Sequence, residues 1–167
     1  IELINTNLTL NCLVMIKQSK GENMYTQQYY KQVCEAIDLV YRSESEKIDI
    51  VGKYIADAIE MDGLVHVFGC GHSHMIAEEL FYRAGGLAAI DPIFEQSAML
   101  HEGAVKSTQI ERMTGYAHLV AERYPIKKMD VFIVASNSGI NSFAIEMADV
   151  ARSKGAKTVC ITSKQYS

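Results

Sequence analysis

Residues 131–163 read VFIVASNSGINSFAIEMADVARSKGAKTVCITS, and this stretch decides the fold. Val131–Ala135 is a short unbroken apolar run, the pattern of a strand buried on both faces. Ser136-Asn137-Ser138-Gly139 follows, a cluster of small polar residues that marks a tight loop. Ile140, Phe143, Ala144, Met147, Ala148 and Ala151 then recur at i, i+3, i+4, i+7, i+8 and i+11, which predicts an amphipathic helix with Gly155 at its C′ position. Lys157–Thr162 is a second strand. Strand, loop, helix and strand make a βαβ unit, and a helical crossover sets the two strands parallel.

The same pattern continues upstream. Leu64–Phe68 (LVHVF) is an apolar strand ending in Gly69-Cys70-Gly71-His72-Ser73. A helix is predicted from Ser73 to Ala84, with Ala77, Leu80, Phe81 and Ala84 on its buried side and Gly85-Gly86 as its stop. Leu87–Ile90 is a further strand, closed by Asp91-Pro92. An irregular stretch carrying His101 and Glu102 leads to a helix over Met113–Arg123, which ends before Pro125. Ahead of all strands, two amphipathic helices are predicted. The first covers Tyr25–Arg42; the second is capped by Ser43 or Ser45, carries Ile48, Val51, Ile55, Ala58 and Ile59 on one face, and ends at Gly63. The expected architecture is α/β: a three-layer α/β/α doubly wound parallel sheet with N-terminal helices.

A chain of 167 residues makes one domain. With 49% apolar and 22% charged residues it has the composition of a packed globular protein, which excludes disordered and fibrous classes. Lys plus Arg number 16 against 20 Asp plus Glu, so the net charge of −4 gives no basic footprint for nucleic acid. Cys12, Cys34, Cys70 and Cys160 lie far apart without metal-type spacing and read as reduced thiols of a cytoplasmic protein. Leu8–Ile16 contains Asn11 and follows Glu2, so it is neither a signal peptide nor a membrane span. Lys20-Gly21-Glu22 is what a purine-rich ribosome-binding site would spell in frame. Residues 1–23 are therefore expected to be an extra, non-native segment before a start at Met24, and residues 24–167 the domain. Because Ser167 follows a strand directly, a truncated C-terminal end is expected too.

Three strand ends carry small polar residues: Gly71-His72-Ser73, Ser136-Asn137-Ser138-Gly139 and Thr162-Ser163. In a doubly wound sheet all three converge on one rim. Glycines let backbone approach a ligand, hydroxyls donate hydrogen bonds, and the helix N-termini that follow offer free N–H groups, a combination that suits phosphate. A dinucleotide fingerprint begins at Gly69-x-Gly71, with Asp91 at 20 residues beyond Gly71, but His74 stands where its third glycine belongs.

VHVFGCGHSHMIAEEL together with VFIVASNSGINSFAIEMADVARSKGAKTVCITS resembles the SIS (sugar isomerase) phosphosugar-binding domain, with a helical lead-in like that of phosphoheptose isomerases. The resemblance runs from about Tyr25 to Ser163. It implies a flavodoxin-like sheet of five parallel strands, a homodimer or homotetramer, and a phosphosugar as ligand. Carried over by position, Ser73, Ser136, Asn137 and Ser138 would contact the phosphate, Gly71 and Gly139 would allow its close approach, and His72 stands where relatives often contact the ligand. Asn141 stands where many members have Thr, and Ser163 belongs to the third strand end. The implied activity is aldose–ketose isomerisation through an enediolate; a noncatalytic phosphosugar sensor and a sugar-phosphate lyase or deaminase stay open as alternatives.

Such an isomerase needs a base and an acid near the phosphate loops. The candidates are Glu79, on the helix leaving the first loop, and His101 with Glu102 after the second strand. Cys70, His72, His74, His101 and Glu79 are possible zinc donors, but they lack a spacing signature, so no metal or other cofactor is expected. Cys70 beside a helix N-terminus is either an activated thiol or a packing residue. His66 within its strand reads as a satisfied core histidine and His118 as structural or exposed. The tyrosines from Tyr25 to Tyr41 read as core and subunit-contact residues.

Overall fold

The computed structural model describes residues 2–5 and 24–163. Its elements are β1 (Glu2–Asn5), α1 (Met24–Glu60), β2 (Val65–Gly69), α2 (Met75–Leu80), β3 (Ile90–Ile93), α3 (Ala104–Glu111), α4 (Tyr116–Ala121), β4 (Val131–Ala135), α5 (Ser142–Ser153) and β5 (Lys157–Thr162). Single 3₁₀ turns lie at Gly71–His74, Gln96–Ala98 and Leu100–Glu102. The strands form one parallel sheet in the order β1-β5-β4-β2-β3, the expected doubly wound architecture. The winding reverses between β2 and β4, so the loops after these two neighbouring strands border the crevice where such sheets bind ligands.

Period-2 alternation builds a core on each side of the sheet. Phe68, Phe132 and Val134 point to the face covered by α4 and α5, where they meet Val120, Phe143 and Met147. Val65, Val67, Val131 and Ile133 point to the other face, against Val51 and Ala58 of α1 and Ala77 of α2. His66 is fully buried between two carboxylates, with Nδ1 2.8 Å from Asp91 and Nε2 3.1 Å from Asp130, which makes it the satisfied core histidine expected. Burial pushes the Asp130 carboxyl up. Hydrogen bonds from the Leu64 and Lys127 N–H groups and from His66 more than reverse this, leaving it below the ordinary range.

Several elements differ from expectation. The two predicted N-terminal helices are one helix, because Ser43 donates its hydroxyl back to Leu39 O within the helix and caps nothing. Only the second half of α1 packs on the sheet; Tyr25, Tyr29, Tyr30 and Tyr41 are exposed and form no part of the core. α2 stops at Leu80 and does not run on to Ala84. Phe81 turns extended to meet the Phe94 ring edge-on at 6.0 Å, and Tyr82 takes a positive φ of 56°. The strand placed at Leu87–Ile90 is Ile90–Ile93. Pro92 is tolerated because β3 is an edge strand and its missing N–H leaves no ladder bond broken. The helix placed at Met113–Arg123 shortens to α4, and α3 precedes it unforeseen.

β1 also went unforeseen: Glu2–Asn5 pairs in parallel with Val159–Thr162 at the far edge of the sheet. Among the described residues Cys34, Cys70 and Cys160 are free thiols, while Cys12 lies outside them. No described helix is long and apolar enough to cross a membrane.

Candidate functional site

The loop after β2 is set by close backbone packing. A Cβ on Gly69 would lie 2.5 Å from the Ser73 carbonyl, so only glycine lets the chain fold back here. Ser73 N–H bonds Cys70 O at 2.9 Å, and the buried His74 donates Nδ1–H to Gly71 O. The loop after β4 is tied to β5. Ser136 N–H donates to Ile161 O at 2.9 Å, Ser163 N–H to Asn137 O at 3.1 Å, and Gly139 N–H to Ser136 Oγ at 3.2 Å. Gly139 has φ of +67°, and a Cβ there would lie 2.8 Å from Thr162 Oγ1.

Between these loops lies a cavity of about 610 Å³. Cys70, Gly71, His72 and Ser73 line it from the first loop, and Ser136, Asn137, Ser138 and Asn141 from the second. Asn141 is the N-cap of α5 but makes no side-chain cap bond, and the first intrahelical bond runs from Ile145 N–H to its carbonyl. Its carboxamide and the N–H groups of the first turn remain as donors toward the cavity, the arrangement that binds anions at helix N-termini. Leu100 and, from α3, Ser107, Thr108 and Glu111 complete the lining together with Ala135 and Ala144.

Burial and the charge of Glu111 push the Cys70 thiol up to about 12, so it is a neutral packing thiol and no activated nucleophile. Burial likewise raises the Glu111 carboxyl, with Arg112 opposing.

Of the residues singled out in the sequence, Gly71, His72, Ser73, Ser136, Asn137, Ser138 and Asn141 line the cavity together. Gly139 lies behind the loop and borders a smaller apolar cavity of about 360 Å³ beside Thr162, whose Oγ1 is buried without a hydrogen bond. Ser163 is fully buried and braces the loop through its backbone. Glu79 pairs with Arg83 on an exposed helix face, and Glu102 pairs with Lys106; neither lines the cavity. His101 is outside the lining as well, its ring 5.4 Å from that of His74, and His118 is exposed.

Sequence reasoning missed Ser107, Thr108 and Glu111. Their helix is eight residues long, and its Val105 is 75% exposed, so no apolar stripe announces it. Of the possible zinc donors named from sequence, the structure brings together only His74 and His101, and the acid that joins them is Glu78, not Glu79. His74, Glu78 and His101 hold their ligand atoms within 4.8 Å of one another, the one such set among the described residues. A carbonyl only accepts, so His74 Nδ1 carries the proton toward Gly71 and Nε2 faces Glu78 Oε1 at 3.1 Å. That tautomer is the one a metal-bound imidazole adopts, and these three residues could hold a divalent cation.

The chain has a parallel sheet with serine-bearing loops at its switch point, and residues 28–163 match the SIS domain. The chain belongs to the SIS domain family. It is 45% identical over 141 residues to a UPF0309 protein of Geobacillus sp. strain WCH70, an alignment covering 84% of this chain and 57% of that protein. To a UPF0309 protein of Listeria innocua it is 47% identical over 131 residues, 78% of this chain and 53% of the relative. The chain thus spans a little over half the length of the curated relatives it matches. Among solved structures it is similar to phosphoheptose isomerase from Neisseria gonorrhoeae, with a TM-score of 0.57, 20% identity, and coverage of 84% of this chain and 77% of that one. That likeness extends the agreement to the fold.

Proposed function

We propose that the chain binds a phosphorylated sugar in the 610 Å³ cavity and interconverts its aldose and ketose forms. The observation that carries this reading is the meeting of Ser73 with Ser136, Asn137 and Ser138 at the ends of two adjacent strands, in a cavity whose lining also holds a carboxylate. The hydroxyls and the α5 N-terminus take the phosphate, and the remaining volume admits the sugar chain. The family and the isomerase-like fold support the same class of ligand.

The protein works without a nucleic acid or a membrane, as a cytoplasmic homodimer or homotetramer. The exposed Tyr25, Tyr29, Tyr30 and Tyr41 on the projecting half of α1 support self-association.

A thermal-shift titration tests the binding. A ligand that binds only the folded state raises stability by RT ln(1 + [L]/Kd), so stabilisation by sugar phosphates but not by the matching free sugars is the expected result. Silence toward every sugar phosphate overturns the reading, and stabilisation by NAD(H) instead would favour a dinucleotide site.

A further inference from the structure

We propose that Glu111, at the C-terminal end of α3, is the group that moves the substrate proton in this cavity. The inference rests on the phosphosugar reading above and adds a residue to it. Glu111 is the one carboxylate among the described residues lining the cavity, which it shares with both serine loops. Among the described residues no hydrogen bond or salt bridge fixes its carboxylate, and Arg112 acts on it only through its charge. Every other acid nearby is held: Glu78 by His74, Glu79 by Arg83, Glu102 by Lys106, and Glu95 by Arg123. A carboxylate without a fixed partner, beside an anchored phosphate, is free to take and return a proton.

The surroundings suit that task. The Arg112 charge acts on Glu111 and the Glu111 charge on Cys70, and the cavity lining that Glu111 shares with the β2 loop, the β4 loop and α5 holds His72 and the uncharged Ser73, Ser136, Asn137, Ser138 and Asn141. Burial lifts its carboxyl above the ordinary carboxylate range, with Arg112 opposing, the direction that improves a general base which must also give the proton back.

In the step itself, a Glu111 carboxylate oxygen bonds the proton on C2 of the open-chain aldose. The C2–H electron pair becomes the C1–C2 double bond, and the carbonyl π pair moves onto O1, which takes a proton from a water molecule. The O2 hydroxyl then gives its proton to the hydroxide so formed, its electrons form the C2 carbonyl, and C1 takes the proton back from Glu111. The reaction is redox-neutral and needs no further reactant.

The test uses the full chain with erythrose 4-phosphate, ribose 5-phosphate, arabinose 5-phosphate and glucose 6-phosphate in deuterium oxide. Proton NMR follows loss of the C2 proton, and calorimetry gives Kd. The expected result is exchange on at least one probe that falls about 1,000-fold in Glu111→Gln while Kd changes by less than about threefold. The acid limb of the wild-type rate, lying above the usual carboxylate range, should vanish from the residual activity.

Exchange in Glu111→Gln within about threefold of wild type overturns the inference, as does parallel loss of exchange and binding, because either outcome removes the proton-transfer role. Wild type that binds a probe without exchanging its proton also overturns it and leaves the phosphate grip standing. Wild type that binds none of them overturns both. If the Gln variant does not fold, Glu111→Asp decides: slowing of at least about tenfold with Kd kept supports the role, and an unchanged rate overturns it.

Discussion

Two stretches of this chain flank the same cavity and are held together in different ways. From Val131 to Ser163, local pattern and tertiary burial agree. Both strands have the bounds their apolar runs predict, and α5 buries Phe143, Ala144, Met147, Ala148 and Ala151 from the predicted stripe. From Phe81 to Arg123, by contrast, a helix ends early, a strand moves by three residues and a helix appears without a stripe. Polar contacts between distant residues hold this second region. Ser107 Oγ donates to Ala98 O at 2.8 Å, Glu146 of α5 accepts from Gly115 N–H, and Glu95 accepts from Ser97, Tyr116 and Arg123. The periodic region supplies Ser136, Asn137, Ser138 and Asn141 to the cavity lining, and the polar-stitched region supplies Leu100, Ser107, Thr108 and Glu111.

The joint between the two regions is the place to break this contrast. Phe143 is fully buried, with its ring 4.7 Å from Phe68 and 5.1 Å from Tyr116 of α4. Phe143→Ala should cost about 3–5 kcal/mol in denaturant unfolding, the largest effect expected; a loss under about 1 kcal/mol would mean that the regions do not share a core. Gly139→Ala forces a left-handed backbone and a clash with Thr162, and should cost about 1–3 kcal/mol while weakening sugar-phosphate binding. Ser107→Ala removes one buried donor and should cost about 1–2 kcal/mol, with faster amide exchange confined to α3 if that helix is held from outside.

The smallest expected effect is that of pH. Burial alone would raise the Glu95 carboxyl, but hydrogen bonds from Ser97, Tyr116 and Arg123 and the Arg123 charge hold it below the ordinary range. A lowered folded pKa contributes stability that is present above the unfolded value of about 4.3 and is lost as pH falls through the folded one. Acidification through that window should therefore lower Tm, and Glu95→Gln should flatten that part of the curve. Hydrogen exchange should show Phe81–Arg123 loosening before β4, α5 and β5. Simultaneous loosening would erase the distinction.

The same contrast explains what could be read from sequence. The sheet, its parallel sense and both serine loops were legible because apolar runs and small-residue clusters alternate at fixed places along the chain. The continuous α1 was not, because Ser43 satisfies its hydroxyl inside the helix and looks from sequence like a cap. The acids gave the least away. Glu79 and Glu102 resemble catalytic candidates by their distance from the loops, yet each is paired to a cation four residues on, whereas Glu111 reaches the cavity only through the tertiary placement of α3.

The most direct test of the phosphate grip is calorimetric titration of one stabilising sugar phosphate and its free sugar into wild type and Ser136→Ala/Ser138→Ala. The account predicts that wild type binds the phosphate at least about 100-fold more tightly than the free sugar and that the double variant loses most of that difference, as two charge-assisted hydrogen bonds would require. Equal affinity for phosphate and free sugar, or an unchanged preference in the double variant, would contradict it.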